Sequence, residues 1–180
     1  KLDFSQPLAL VIFHPVVQRG YDNQGDAENI MEALVDNLKF NALVLLPNAD
    51  SGGAAIRHVM EMYENKGCRV INHLSRKEFL AAMRIADILI GNSSTGIIEA
   101  ASLGIPVVNV GDRQNRRERN ANVVDVSVST ESIQEGIIAA MTLRGPFLNV
   151  YGDGFAAKRI VSLLETLPID KTLLAKCNVY

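Results

Sequence analysis

Short apolar runs alternate along the chain with longer segments whose apolar residues recur at helical spacing. Leu8–Phe13, Ala42–Leu46, Arg69–Asn72, Asp87–Ile90, the run opened by Pro106, and Val123–Val126 read as six strands. Between and after them, helices are predicted over Ala27–Leu38, Ala54–Asn65, Lys77–Ile85, Thr95–Leu103, Ile133–Leu143 and Phe155–Leu164. Ile30, Leu34 and Leu38 fall on one face of the first helix; Ile97, Ile98 and Ala101 point inward from the fourth. The punctuation agrees. His14-Pro15 ends the first strand, Gln18–Asn23 is a polar loop, and Pro47–Gly53 closes the second strand. Gly67 and Gly104 suit helix C-termini. Ser75 with Glu78 has the spacing of a capping box, Thr130 suits an N-cap, and Gly145-Pro146 breaks the chain.

Strands without alternating polar positions are buried on both faces, so the pattern predicts a parallel sheet with helices on both sides. Right-handed crossovers then bring every strand's C-terminal end to one edge, where ligands of such folds sit near the reversal in strand order. The residues following the strands at that edge are His14, Asn48-Ala49-Asp50-Ser51-Gly52, Asn72-His73-Leu74-Ser75, Gly91-Asn92-Ser93-Ser94 and Gly111-Asp112-Arg113-Gln114.

The most informative of these turns is Gly91–Ser94, which opens a helix. Backbone N–H groups and two hydroxyls at a helix N-terminus suit an anion. Ser93 is equally placed as a plain N-cap. Glu99, on the helix behind the turn, suits a sugar diol or simply the helix surface. Arg113 offers positive charge to the same anion. Arg116, Arg117 and Arg119 read better as a solvated charged loop. His14 suits a phosphate or sugar contact, His58 a helix surface, and His73 either the site or a strand cap. The chain has no G-x-x-x-x-G-K-[ST], no G-x-G-x-x-G after its first strand and no G-x-S-x-G. Those absences argue against a P-loop, a dinucleotide fingerprint and a serine-hydrolase elbow.

Composition narrows the partners. A chain of 180 residues with 48% hydrophobic and 21% charged content fits one domain with a sizeable core. A net charge of −2, 6% aromatics and no tryptophan argue against nucleic acid. No apolar run approaches the roughly 20 residues that span a bilayer, and no signal peptide is visible, so a cytoplasmic location without membrane association is expected. Cys68 and Cys177 are read as reduced thiols, and no histidine pair has metal-ligand spacing, so no metal is expected. The chain begins with Lys rather than Met, as an excised piece of a longer protein would.

Several of these segments together resemble the hydrolysing UDP-N-acetylglucosamine 2-epimerases of sialic- and legionaminic-acid-type pathways. They are His14-Pro15, Leu46-Pro47-Asn48-Ala49-Asp50-Ser51-Gly52, Gly91-Asn92-Ser93-Ser94-Thr95-Gly96-Ile97-Ile98-Glu99-Ala100, the run Gly104 to Gln114, and Arg117 with Asn122-Val123. The resemblance covers most of residues 8–126. It implies a Rossmann-like parallel six-stranded sheet forming one half of a GT-B fold. Residues 1–180 would be a single C-terminal nucleotide-binding domain, partnered by an N-terminal domain that this chain does not contain. Asn92-Ser93-Ser94-Thr95 and Ile97-Ile98-Glu99 stand where the non-hydrolysing branch usually carries Asp-Ser-Gly-Gly and Gln-Glu-Glu, which favours the hydrolysing branch.

By motif position, the resemblance assigns Ser93 and Ser94 to the diphosphate, Glu99 to the ribose and Arg113 to the phosphate side. It gives His14 the phosphate or sugar and places Asn48 at the border of the same pocket. The loop Asn72–Ser75, with Leu74, would supply backbone contacts to the uracil. The implied reaction is anti elimination of UDP followed by syn hydration, releasing the free manno-configured sugar. UDP-N-acetylglucosamine is the default substrate, with a 4-acetamido, 6-deoxy relative as the variant. No cofactor is implied. The acid and base are expected mainly in the N-terminal domain, leaving this half folded but inactive alone, with a homo-oligomer compatible. The nucleotide-binding half of a GT-B glycosyltransferase and a non-catalytic nucleotide-sugar-binding module remain as alternatives.

Overall fold

The computed structural model describes residues 5–17, 22–64 and 66–175. Its six strands are β1 (Leu8–Ile12), β2 (Asn41–Leu45), β3 (Cys68–Ile71), β4 (Ile88–Gly91), β5 (Val107–Val110) and β6 (Val123–Val126). They form one sheet in the order β3-β2-β1-β4-β5-β6, every pair parallel. The order runs outward from β1 to β3 and resumes on the other side of β1 with β4. The reversal therefore lies between β1 and β4, where Ile12 is in register with Gly91.

Side-chain alternation explains why the strands read as unbroken apolar runs. Ala9, Val11 and Phe13, Ile88 and Ile90, and Val108 and Val110 enter one buried cluster. Leu10, Ile12, Leu89 and Val107 enter another. The first cluster is closed by α1 (Asn23–Met31), α2 (Gly53–Met62) and α5 (Thr130–Ala140), through Ile30, Ile56, Met60, Ile133 and Ile137. The second receives Met83 from α3 (Arg76–Ile85), and Ala100. Each buried Leu or Ile is worth about 1.5–3 kcal/mol relative to exposure, so both faces of the sheet need cover. The chain divides into two compact units, one ending at Asn149 and one beginning at Val150. The second contains α6 (Ala156–Thr166) and α7 (Lys171–Leu174).

Several boundaries differ from the sequence reading for local reasons. The first helix starts at Asn23, and its last turns, Glu32–Asn37, widen into a π-helix. The residues 18–21 of the expected polar loop lie outside the described ones. Helix α2 ends at Met62, so Gly67 is not its cap but a left-handed turn residue (φ 79°) leading into β3. Ser129, not Thr130, caps α5, its side chain accepting from the Ser132 N–H. The Ser75–Glu78 capping box forms as expected, with Ser75 Oγ accepting from Glu78 N and Glu78 Oε2 from Ser75 N.

Candidate functional site

The reversal between β1 and β4 is closed by one side chain. Asn92 is buried, and its amide pairs with the backbone across the gap: His14 N donates to Asn92 Oδ1 at 2.8 Å, and Asn92 Nδ2 donates to His14 O at 2.8 Å. The two bonds act as one more rung of the β1–β4 ladder, made by a side chain after the strands have ended. The Asn92 carbonyl in turn accepts from Arg113 Nη1 at 3.0 Å and Gln114 Nε2 at 2.8 Å. One residue thus ties together the ends of β1, β4 and β5. Gly91 makes this approach feasible. It sits at φ 134°, and a Cβ there would lie 2.1 Å from the Ile12 carbonyl oxygen.

Around this tie the structure gathers His14, Asn48 and Arg113. The His14 ring is half-buried, and its Nδ1 is buried without a hydrogen-bond partner. Burial first, then the Arg113 charge, hold its pKa below the usual 6.5; the Asp50 carboxylate and a hydrogen bond with the Asn48 side chain pull the other way. The imidazole is therefore mainly neutral at neutral pH. Burial also lowers Arg113, opposed by Asp50 and reinforced by Arg117. Asn48 Nδ2 donates to Asp50 Oδ2 at 2.8 Å. A cation, a neutral imidazole and one carboxylate thus share this edge.

Ser93 performs the bland role considered for it: it is the N-cap of α4 (Ser94–Ile98), its Oγ accepting from Thr95 N at 3.4 Å. That leaves its own hydroxyl proton available to a ligand. Ser94 is half-buried in the first turn.

The continuous helix expected over Thr95–Leu103 is instead five residues of α-helix followed by a 3-10 turn, Ala100–Leu103, ended by Gly104 at φ 71°. Side chains end the α-helix. The Ile97 and Ile98 carbonyls, which a longer helix would bond internally, accept from Asn120 Nδ2 at 2.9 Å and Asn149 Nδ2 at 2.8 Å. Ile97 and Ala101 are buried as expected, but the break leaves Ile98 half-buried. A helix this short has a weak macrodipole, so any anion affinity here must come from individual N–H and O–H donors.

The break also places Glu99 at the junction, where its Oε1 accepts from Arg76 Nη2 at 2.6 Å. Arg76 is the first residue of α3, directly after the loop containing Leu74 and Ser75. Glu99 therefore forms a second group with Arg76, at the side of the Leu74 loop. Leu74 itself is half-buried, and His73 and His58 are exposed.

Of the arginine cluster, Arg119 is structural. It clamps Asp125 through Nε at 2.9 and 3.1 Å and donates to the Gln114 and Arg117 carbonyls. Arg116 and Arg117 are exposed. A cleft of about 480 Å³ lined by Asn48, Asp50, Ser51, Arg57 and His58 opens against α2. Sequence reasoning placed Asn92 in the turn but gave it no role of its own, and it did not single out Arg76. An amide in place of a small residue after the strand-ending Gly91 was a signal for the first. Nothing local marked the second.

An open parallel sheet with a polar cluster at its reversal point defines a Rossmann-like, doubly wound α/β class of protein. A family model described as UDP-N-acetylglucosamine 2-epimerase matches residues 2–165, and the chain belongs to that family. A relative from Legionella pneumophila named UDP-N,N'-diacetylbacillosamine 2-epimerase (hydrolyzing) is 41% identical over 181 residues, covering 99% of this chain and 48% of that protein. One from Campylobacter jejuni named GDP/UDP-N,N'-diacetylbacillosamine 2-epimerase (hydrolyzing) is 32% identical over 72% of this chain and 34% of its own length. The chain thus spans between a third and a half of these curated relatives. The structure of a Methanocaldococcus jannaschii UDP-GlcNAc 2-epimerase in complex with UDP-GlcNAc and UDP shares the fold at a TM-score of 0.70 and 17% identity, over 89% of this chain and 45% of that one. The architecture is accordingly one half of a GT-B arrangement, the class expected from the resemblance.

Proposed function

We propose that the chain is the C-terminal, UDP-binding half of a hydrolysing 2-epimerase that acts on a UDP-2-acetamido sugar. The observation that carries this reading is the convergence of His14, Asn48, Ser93 and Arg113 on the Asn92 tie, with Glu99 at the far end of the same short helix. Arg113, the hydroxyls of Ser93 and Ser94, and the neutral His14 ring face the diphosphate. Glu99 accepts from the ribose hydroxyls, and the backbone about Leu74 meets the uracil. The 41% relative's name favours UDP-N,N'-diacetylbacillosamine over UDP-N-acetylglucosamine as substrate.

In the elimination, a base removes the C2 proton, the C1–O bond to the diphosphate breaks, and UDP departs with the electron pair, leaving a glycal-type alkene. Water then adds to that alkene, with a proton to C2 and oxygen to C1. This half serves the departing charge: fixed donors that meet it in a partly dry site stabilise it without reorganisation. The proton chemistry at C2 is assigned to the N-terminal domain, so the isolated chain binds UDP and turns over no substrate.

Calorimetry with UDP tests the reading. The chain is expected to bind UDP, and Glu99→Ala to weaken binding about fivefold to tenfold with unchanged thermal unfolding. Absence of UDP binding, or an unaltered affinity in Glu99→Ala, counts against it. Epimerase turnover by the isolated chain would refute the division of labour.

A further inference from the structure

We propose that Arg76 is a positioning residue that sets how strongly the ribose end of the nucleotide is read; this rests on the assignment of Glu99 to the ribose. Both members of the Arg76–Glu99 pair project from fixed backbone. Arg76 begins a helix whose first turn is locked by the Ser75–Glu78 capping box, which also occupies the nearby Glu78 carboxylate. Glu99 is held from before and after: its N–H donates to Thr95 O at 2.9 Å, the Ile97 and Ile98 carbonyls before it are taken by Asn120 and Asn149, and its own carbonyl accepts from Ser102 N at 3.1 Å.

The pair adds little to folding. The Arg76 side chain is 63% exposed and that of Glu99 30%, and exposed ion pairs contribute marginally to stability. Its effect is on orientation. A glutamate alone samples several rotamers, and ordering one on ligand binding costs affinity. Arg76 Nη2 engages Oε1 only, leaving Oε2 and the second lone pair of Oε1 to accept from hydroxyl donors. Arg76 carries donors alone, so it does not compete with a diol for those donations. The arrangement is a relay of donor, carboxylate and diol whose orientation exists before the nucleotide arrives. It joins the loop assigned to the base with the group assigned to the sugar, through residues 23 positions apart.

The experiment compares dissociation constants for UDP and 2′-deoxy-UDP on the chain and on Arg76→Ala, Arg76→Lys and Glu99→Ala, with thermal unfolding as the control for folding. Arg76→Ala is expected to weaken UDP binding about threefold to fivefold and to leave 2′-deoxy-UDP nearly unaffected, so that discrimination between the two falls by the same factor. Arg76→Lys should restore part of it. If Glu99→Ala abolishes discrimination while Arg76→Ala leaves it intact, the role of Arg76 is overturned and the Glu99 assignment stands. Tighter UDP binding by Arg76→Ala would make the pair a latch that the nucleotide must break, and also overturns the proposal. If Glu99→Ala leaves discrimination unchanged, or the unaltered chain binds no UDP, both readings fall.

Discussion

Two connections reach His14 from neighbouring strands, one from β4 and one from β2, and they are held in opposite ways. At the end of β4, Gly91, Asn92 and Ser93 are all buried, and Asn92 bonds to backbone on β1's continuation and to side chains beyond β5. After β2, Asn48, Asp50 and Ser51 are exposed, and the loop bonds mainly to itself through Asn48–Asp50 and Gly53 N to Asp50 O. Gly91 is confined by a carbonyl oxygen; Asn48 meets His14 only through its side chain. A turn bonded across strands is preorganised, while one bonded to itself can adjust to a ligand. The difference divides the site into a rigid platform, on the proposed reading the one that meets the diphosphate, and a yielding wall beside it.

The strongest way to break the comparison is Gly91→Ala. A methyl 2.1 Å from the Ile12 oxygen forces β1 and β4 apart where they are in register. A loss of about 4 kcal/mol or more is expected, read as a collapse of the urea midpoint. Asn92→Ala comes next. It strands the His14 N–H and carbonyl and should cost about 2–4 kcal/mol, with UDP binding lost in the fraction that still folds. A cost below about 1 kcal/mol would mean that water replaces the amide and that the platform is not rigid.

The smallest effect is expected on the β2 side. Asn48→Ala should change stability by less than about 0.5 kcal/mol, yet remove an interaction that raises the His14 pKa, moving the ring's titration further down when followed by NMR. His14 also leaves a mark on stability. Its folded pKa is lowered, by burial first and Arg113 second, relative to about 6.5 in the unfolded chain. The unfolded chain therefore binds more protons below that value. This contribution to stability is fully present above about 6.5 and is lost as the pH falls through the folded value. His14→Gln should flatten that part of the stability profile relative to the unaltered chain, and an unchanged slope would remove His14 as its source.

How much of this was legible beforehand follows from how local each cause is. The six strands, the two-sided burial of the central β1, β4 and β5 and the Ser75–Glu78 cap depend on neighbours within a few residues, and they appear close to where the pattern placed them; the edge strands β3 and β6 are only partly buried, because a neighbour covers them on one side alone. The small-residue turn at Gly91–Ser94 that opens a helix was visible for the same reason, because small hydroxyl residues before an apolar helical segment are a local signature. The helix behind it was misread as longer, because the groups that end it, Asn120 and Asn149, come from 23 and 51 positions away. The Asn92 amide looked like one more polar turn residue until β1 lay beside β4, which puts His14 within its reach across 78 positions.

The sequence alone therefore determined the strands, most of the helices, the two-sided burial of the central strands and the edge at which polar groups would collect, since each follows from residue chemistry at short range. The tertiary structure decided which of those polar groups meet: Asn92 with His14, Arg113 with the Asn92 carbonyl, and Arg76 with Glu99. Those pairings depend on strand order and on where a helix stops. A side-chain hydrogen bond spans about 3 Å, so no local pattern can state a meeting that only the completed packing brings within that distance.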